Sequence, residues 1–289
     1  MVNKKYKDTV FTDLFYSDES ARSNLLELAN ALLGTEYKST EVLRKVRLED
    51  ALLIGKKNDV AFTIGKKQIV LCEHQSTINY NMPVRMLQYI AKEYDQYLNK
   101  EYGSDAKFHK KCLPLPVPRF FVLYNGTEEQ SLEYQLRLSD AYAEQTEDPN
   151  LELIVRVINI NHSKQHAILG KCTVLNQYSQ MIDIVRKYTK QDTLGTPEKR
   201  VEVAIRECIK GGILEEYLLR KESEVVGMLS SEYNYENDIR VQREEAADES
   251  REKVLKLVKI LLAKGKADDI EKLDDKAYLD KLLKQYHLQ

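Results

Sequence analysis

Over residues 18–33, Leu25, Leu26, Leu28, Leu32 and Leu33 recur with helical spacing, Ser17 or Asp18 can cap the first turn, and Gly34 can end the last. The period then changes. Residues 48–54, 59–64 and 68–73 are short apolar or β-branched stretches separated by Gly55-Lys56-Lys57-Asn58 and Gly65-Lys66-Lys67, which predicts a meander of hairpins. Helical spacing returns over 82–98, with Pro83 tolerated in the first turn and Met86, Leu87, Ile90, Tyr94 and Tyr97 on one apolar stripe. Alternating prolines at Pro114, Pro116 and Pro118 impose an extended entry into a strand at 119–124, which ends on the turn signal Asn125-Gly126. Residues 127–152 carry eight acidic side chains and one basic one, Arg137, and are expected to form an exposed helix and loop. A strand at 151–160 follows. Helices are predicted at 165–188 and, between a Thr196 cap and a Gly211 stop, at 197–210, with further helices to Gln289. Residues 240–253 are polar on every side, whereas Val254, Leu257, Val258, Leu261 and Leu262 resume an apolar face suited to docking.

Composition narrows the class. At 289 residues, 43% hydrophobic and 31% charged, with 11 Gly and 6 Pro, the chain is neither collagen-like, linker-like nor wholly disordered, and is long enough for a real core. Its apolar runs fall far short of the roughly 20 residues that span a bilayer. The basic start, Met1 to Lys7, leads into residues 8–13 without an apolar stretch, so the expectation is a cytoplasmic protein with no membrane segment. Cys72, Cys112, Cys172 and Cys208 form no Cys-x-x-Cys pair and read as reduced thiols. The net charge of −2 conceals an asymmetry: residues 1–125 hold 19 basic against 15 acidic side chains, which makes the front portion the better face for a polyanion.

Candidate chemistry centres on Asn58-Asp59-Val60-Ala61 and Leu71-Cys72-Glu73-His74-Gln75-Ser76. Glu73 interrupts an apolar strand, and a buried carboxylate needs a partner, a solvated strand end or a cation. Period two puts Glu73 and Gln75 on one face and His74 on the other, where His74 reads as a packed or hydrogen-bonded residue. If Gly65 to Lys67 form a three-residue loop, Ile64 pairs with Gln68 and Asp59 lies directly opposite Glu73. Two carboxylates so placed repel, and Mg²⁺ or Mn²⁺ between them converts the repulsion into attraction. Gly65 equally suits a two-residue type II′ turn, which pairs Ile64 with Lys67 and turns Asp59 away. Arg85 and Tyr89 share a helix face; Arg85 suits either a phosphate clamp beside the metal or a structural pair with Glu93 or Glu73. Lys66 and Lys67 on a hairpin tip, and Lys107, Lys110 and Lys111 on a loop, suit sequence-independent contacts to a DNA backbone. Motifs of nucleotide hydrolases, dehydrogenases and zinc proteases are missing from the sequence.

The order helix, three strands, helix, strand, with Asp59 followed by Glu73-x-Gln75, resembles the PD-(D/E)XK nuclease superfamily. Within it, Glu73-His74-Gln75-Ser76-Thr77, Met82-Pro83-Val84-Arg85 and Tyr124-Asn125-Gly126 resemble the Rpn family of recombination-promoting nucleases, also labelled transposases. The resemblance implies an α/β, restriction-endonuclease-like αβββαβ core over residues 1–165 and a helical C-terminal extension over 166–289. It implies a metal-dependent DNA endonuclease acting in recombination or defence against foreign DNA, with Asp59 and Glu73 as ligands of Mg²⁺ or Mn²⁺. Gln75 stands where the wider superfamily has Lys, so it orients water by hydrogen bonding without supplying charge. Superfamily members often add an acidic residue from the first helix, for which Glu27 is best placed. The rival expectation is a catalytically inactive DNA-binding or assembly protein on the same scaffold. The C-terminal helices offer a surface for a homo-oligomer.

Overall fold

The computed structural model describes residues 9–45, 59–144, 146–286 and 288, with the backbone alone for Asp59, Asp192, 234–249 and Glu252. The expected strand at 48–54 and the turn before Asp59 lie outside the described residues. Thr9 caps a short helix α1 (Val10–Thr12), accepting from the Thr12 amide, and the chain continues as a π-helical turn over Asp13–Ser17. Helix α2 (Ala21–Leu33) starts later than the leucine pattern suggests, because the Asp18 carboxylate accepts hydrogen bonds from the amide and hydroxyl of Ser20 and holds the preceding turn. It stops at Gly34 in the left-handed conformation that glycine tolerates (φ +66°).

The described residues form one mixed sheet of six strands: β1 (Leu43–Lys45), β2 (Asp59–Ile64), β3 (Gln68–Gln75), β4 (Val117–Tyr124), β5 (Glu133–Arg137) and β6 (Ile154–Asn159). Their spatial order is β1-β2-β3-β4-β6-β5. The β3–β4 and β4–β6 pairs are parallel, and the outer pairs are antiparallel. Helix α3 (Met82–Tyr102) links the parallel neighbours β3 and β4, as a crossover must.

Strand β5 corrects the expected helix and loop over 127–152. Its acidic composition hides a period of two: Leu136 is buried and Tyr134 half-buried, while Glu133, Gln135 and Arg137 face solvent. Tyr134 pairs with Val157 and Leu136 with Val155, so β5 is an edge strand whose solvent-facing charges guard against further pairing.

Period two divides the core between the two faces of the sheet. Val60, Phe62, Val70, Cys72, Phe121, Leu123 and Ile158 pack in one apolar cluster with α1, α2 and the later helices α4 (Thr173–Thr189) and α5 (Pro197–Lys210). Ala61, Ile69, Leu71, Val122, Tyr124 and Val157 pack in a second with Met82, Met86 and Ile90 of α3. Helix α4 begins eight residues after the expected start, since Gln165 takes a left-handed conformation (φ +53°) that a helix cannot continue through. Helix α5 has the bounds its caps predict, with the Thr196 hydroxyl accepting from the Lys199 amide.

The helical segment α6 (Glu215–Ala263) departs from helical geometry at Lys221 (φ −129°, ψ 24°), and α7 (Ala267–Ile270) and α8 (Lys276–Gln285) follow. The chain divides into two compact units between Ser230 and Ser231. In the second unit Leu257, Leu261 and Leu282 form a small core of their own. Among the described residues no helix is long and apolar enough to cross a membrane.

Candidate active site

Strand register decides which acids meet. The β2–β3 hairpin uses the three-residue loop: Ile64 pairs with Gln68, Gly65 adopts a left-handed φ of +55°, and the Lys67 amide donates to the Ile64 carbonyl. Asp59 therefore pairs directly with Glu73. Glu73 lies on the face covered by α3, and position 59 is its direct partner across the antiparallel ladder. The alternative type II′ register does not occur.

Glu73 is 2% exposed, with its carboxylate between β3 and the start of α3. Its Oε1 lies 2.8 Å from Nη2 of Arg85, an ion pair, and its Oε2 accepts a hydrogen bond of 2.7 Å from Nε2 of Gln75. The same Gln75 nitrogen lies 2.8 Å from Sδ of Met82, and Arg85 Nη1 is 3.6 Å from that sulfur. Arg85 Nη2 also donates to the Tyr89 hydroxyl at 2.9 Å. The helical spacing of Met82, Arg85 and Tyr89 stacks them along one side of α3 above the strand end. The sequence leaves Arg85 open between a phosphate clamp and a pair with Glu93 or Glu73; in the structure it pairs with Glu73. Met82 joins the cluster without standing out in the sequence as a site residue, its one signal being the Met-Pro-x-Arg helix start.

On the opposite face His74 stacks on Phe11 with ring centroids 4.6 Å apart, and its Nε2 lies 3.2 Å from the Tyr178 hydroxyl. Burial, with a lesser push from Arg186, lowers its pKa to about 3, so it is neutral near pH 7 and is a core residue, as its strand position implies.

The Glu73 carboxylate and the Gln75 amide meet at this strand end, and Asp59 is the register partner of Glu73 across the ladder; carboxylate and amide oxygens are the ligand types that suit a small hard cation. The guanidinium at Oε1 marks that point as one where positive charge is already favoured. No group of three or more His, Cys, Asp or Glu able to hold a metal occurs among the described residues.

A family model described as "Putative transposase, YhgA-like" (Transposase_31) matches residues 5–205. The chain belongs to this family. The match covers the whole sheet, α3, α4 and most of α5, whereas the second compact unit lies beyond it. No curated protein and no solved structure matches the chain.

Motif residues of this transposase-family chain outside the carboxylate cluster hold its backbone. The Asn125 amide donates to the Gln75 carbonyl at 3.0 Å, and the Asn125 carbonyl accepts from Arg186. A Cβ on Gly126 would overlap the Ser76 carbonyl oxygen and the Tyr124 ring, so only glycine lets β4 close against the residue that follows Gln75. Glu27 is not part of the cluster: its Oε1 accepts the Thr173 amide at 2.8 Å and caps α4 from outside. Of the lysines, Lys66 pairs with Glu101 and Lys107 with Asp95, while Lys110 and Lys111 are exposed.

Proposed function

We propose that this member of the YhgA-like transposase family is a metal-dependent DNA endonuclease, with residues 1–165 as a restriction-endonuclease-like core and 166–289 as its helical extension. One observation carries the reading: Asp59 and Glu73 are register partners, and Gln75 and Arg85 converge on the Glu73 carboxylate. Asp59 and Glu73 would hold Mg²⁺ or Mn²⁺, which supplies an activated water and a counter-charge for the phosphate. Gln75, tethered to Glu73 through Nε2, would use its amide oxygen to orient the attacking water. Arg85 and Tyr89 would receive a phosphate oxygen, since a guanidinium steadied by a hydroxyl offers directional donors. Lys110 and Lys111 would neutralise flanking phosphates without reading sequence.

The test is nicking of supercoiled plasmid with and without Mg²⁺ or Mn²⁺, using Asp59→Asn and Glu73→Gln, which keep side-chain volume. We expect divalent-dependent cleavage that falls by about a hundredfold or more in either variant, the scale of losing a metal or oxyanion contact. Cleavage that persists in both folded variants would reject the reading.

A second reading has its own support, because the Arg85–Glu73 pair and the Gln75–Met82 contact would also serve a catalytically idle DNA-binding scaffold. Salt-sensitive DNA binding without any cation binding at millimolar Mn²⁺ would select it.

A further inference from the structure

In the free protein the buried Glu73 carboxylate already has a cation beside it, and that cation is a side chain. Nη2 of Arg85 sits 2.8 Å from Oε1 and 2.9 Å from the Tyr89 hydroxyl, so one nitrogen touches both an acid and a neutral acceptor. The Glu73 side chain is 3% exposed and that of Arg85 is 20% exposed. Arg85 therefore has a route to solvent that Glu73 lacks, so of the two the guanidinium is the group that can move, once another cation replaces it at the buried carboxylate.

We infer that Arg85 is a built-in stand-in for the divalent cation: it occupies the cation's place at Glu73 Oε1 until the metal arrives, and is then displaced outward to meet a DNA phosphate. The inference rests on the proposed metal site and adds its regulation. A guanidinium and a divalent cation at one carboxylate oxygen repel, so each weakens the other there. A phosphate that draws Arg85 outward removes this competition. Metal and DNA thus load cooperatively, and the coupling is reciprocal: each tightens the other by the same factor. Without DNA the site keeps a low cation affinity, which limits unproductive loading.

The experiment measures Mn²⁺ binding to the full chain by calorimetry, with and without a short phosphorothioate duplex, corrected for Mn²⁺ binding to the duplex alone. Without DNA, Arg85→Gln is expected to bind Mn²⁺ about tenfold more tightly than the wild type, equivalent to about 1.4 kcal/mol. Arg85→Lys keeps the charge and should stay near the wild type. DNA should tighten Mn²⁺ binding to the wild type and leave Arg85→Gln nearly unchanged. Tyr89→Phe removes one of the acceptors that hold Nη2 at Glu73 and should tighten Mn²⁺ binding in the same direction as Arg85→Gln, a shift that needs no Arg85 variant to fold. Equal or weaker binding in folded Arg85→Gln, with binding abolished in Glu73→Gln, would overturn the stand-in role while leaving the metal site intact. Failure of the wild type and Arg85→Gln alike to bind millimolar Mn²⁺, with or without DNA, would overturn the metal site itself and this inference with it.

Discussion

Glu73 on β3 and Glu93 on α3 are both buried acids, yet they answer burial differently. Glu73 has a guanidinium and an amide at its oxygens. Burial raises the Glu93 carboxyl to about 7, with Lys92 opposing only weakly. Its native pKa thus lies above the ordinary 4.5, and in that window the folded chain holds a proton that the unfolded chain releases. The contribution of Glu93 is full below about pH 4.5 and is lost as pH rises through about 7. Glu93→Gln cannot ionise, so it should be more stable than the wild type by about 2 kcal/mol at pH 8 and nearly equal at pH 4.5, read from urea unfolding. His74 works in the other direction, its pKa depressed to about 3 from 6.5, so it costs stability as pH falls through that interval. Its slope is common to wild type and variant and cancels in the comparison. The sequence showed Glu73 because it breaks an apolar run. It hid Glu93, since a glutamate one turn from Tyr89 and Tyr97 resembles an ordinary solvated helix position.

At the scale of elements, caps and strand ends carry most of the local specification. The β4 end is an example: Gly126 lies against the Ser76 carbonyl and the Tyr124 ring, with Tyr124 Cε2 only 2.6 Å from where a Cβ would sit. Gly126→Ala should destabilise the fold by about 1–3 kcal/mol, the range for overpacking, and should broaden or shift the Gln75 side-chain amide resonances as the β3–β4 end opens. The Lys221 break in α6 is a second example. Asp13 and Asp18, both buried in the first helical turns, accept from Lys221, with Tyr217 adding a bond to Asp13 and Arg220 one to Asp18. Burial works against the Asp18 charge, but Ser20 and Arg220 hold its carboxyl down at about 2. Lys221→Ala leaves Asp13 with the Tyr217 hydroxyl alone among these donors and should cost about 3 kcal/mol in chemical denaturation, the scale of breaking a buried pair. This second device cannot be read from spacing, because Asp13 and Lys221 are joined only by the fold.

At the scale of the whole molecule, the boundary at Ser230 has a consequence for truncation. Val201, Ala204, Ile205 and Cys208 of α5 and Leu218, Val225 and Leu229 beyond it belong to the same apolar cluster as β2, β3 and β4. A cut near Gly195 would strip that cluster, whereas a chain ending at Ser230 keeps it. The shorter chain 1–230 should unfold in one cooperative transition by calorimetry, while 1–195 should aggregate or fail to fold. Sedimentation of 1–230 beside the full chain would also assign any self-association to residues 231–289.

The sequence by itself determined the elements whose signal is local: the two-residue period that puts Glu73 and Gln75 on one face and His74 on the other, the Gly34 stop, and α5 between Thr196 and Gly211. These follow from backbone geometry and capping within a few residues. Only the tertiary structure decided that Asp59 stands opposite Glu73, that the acidic segment after Gly126 supplies an edge strand, that Arg85 pairs with Glu73 rather than Glu93, and that Glu93 is buried. Each is an outcome of competition between alternatives of similar local merit. Loop length at Gly65, strand pairing and charge partners are settled by the summed burial and hydrogen bonding of residues far apart in the chain.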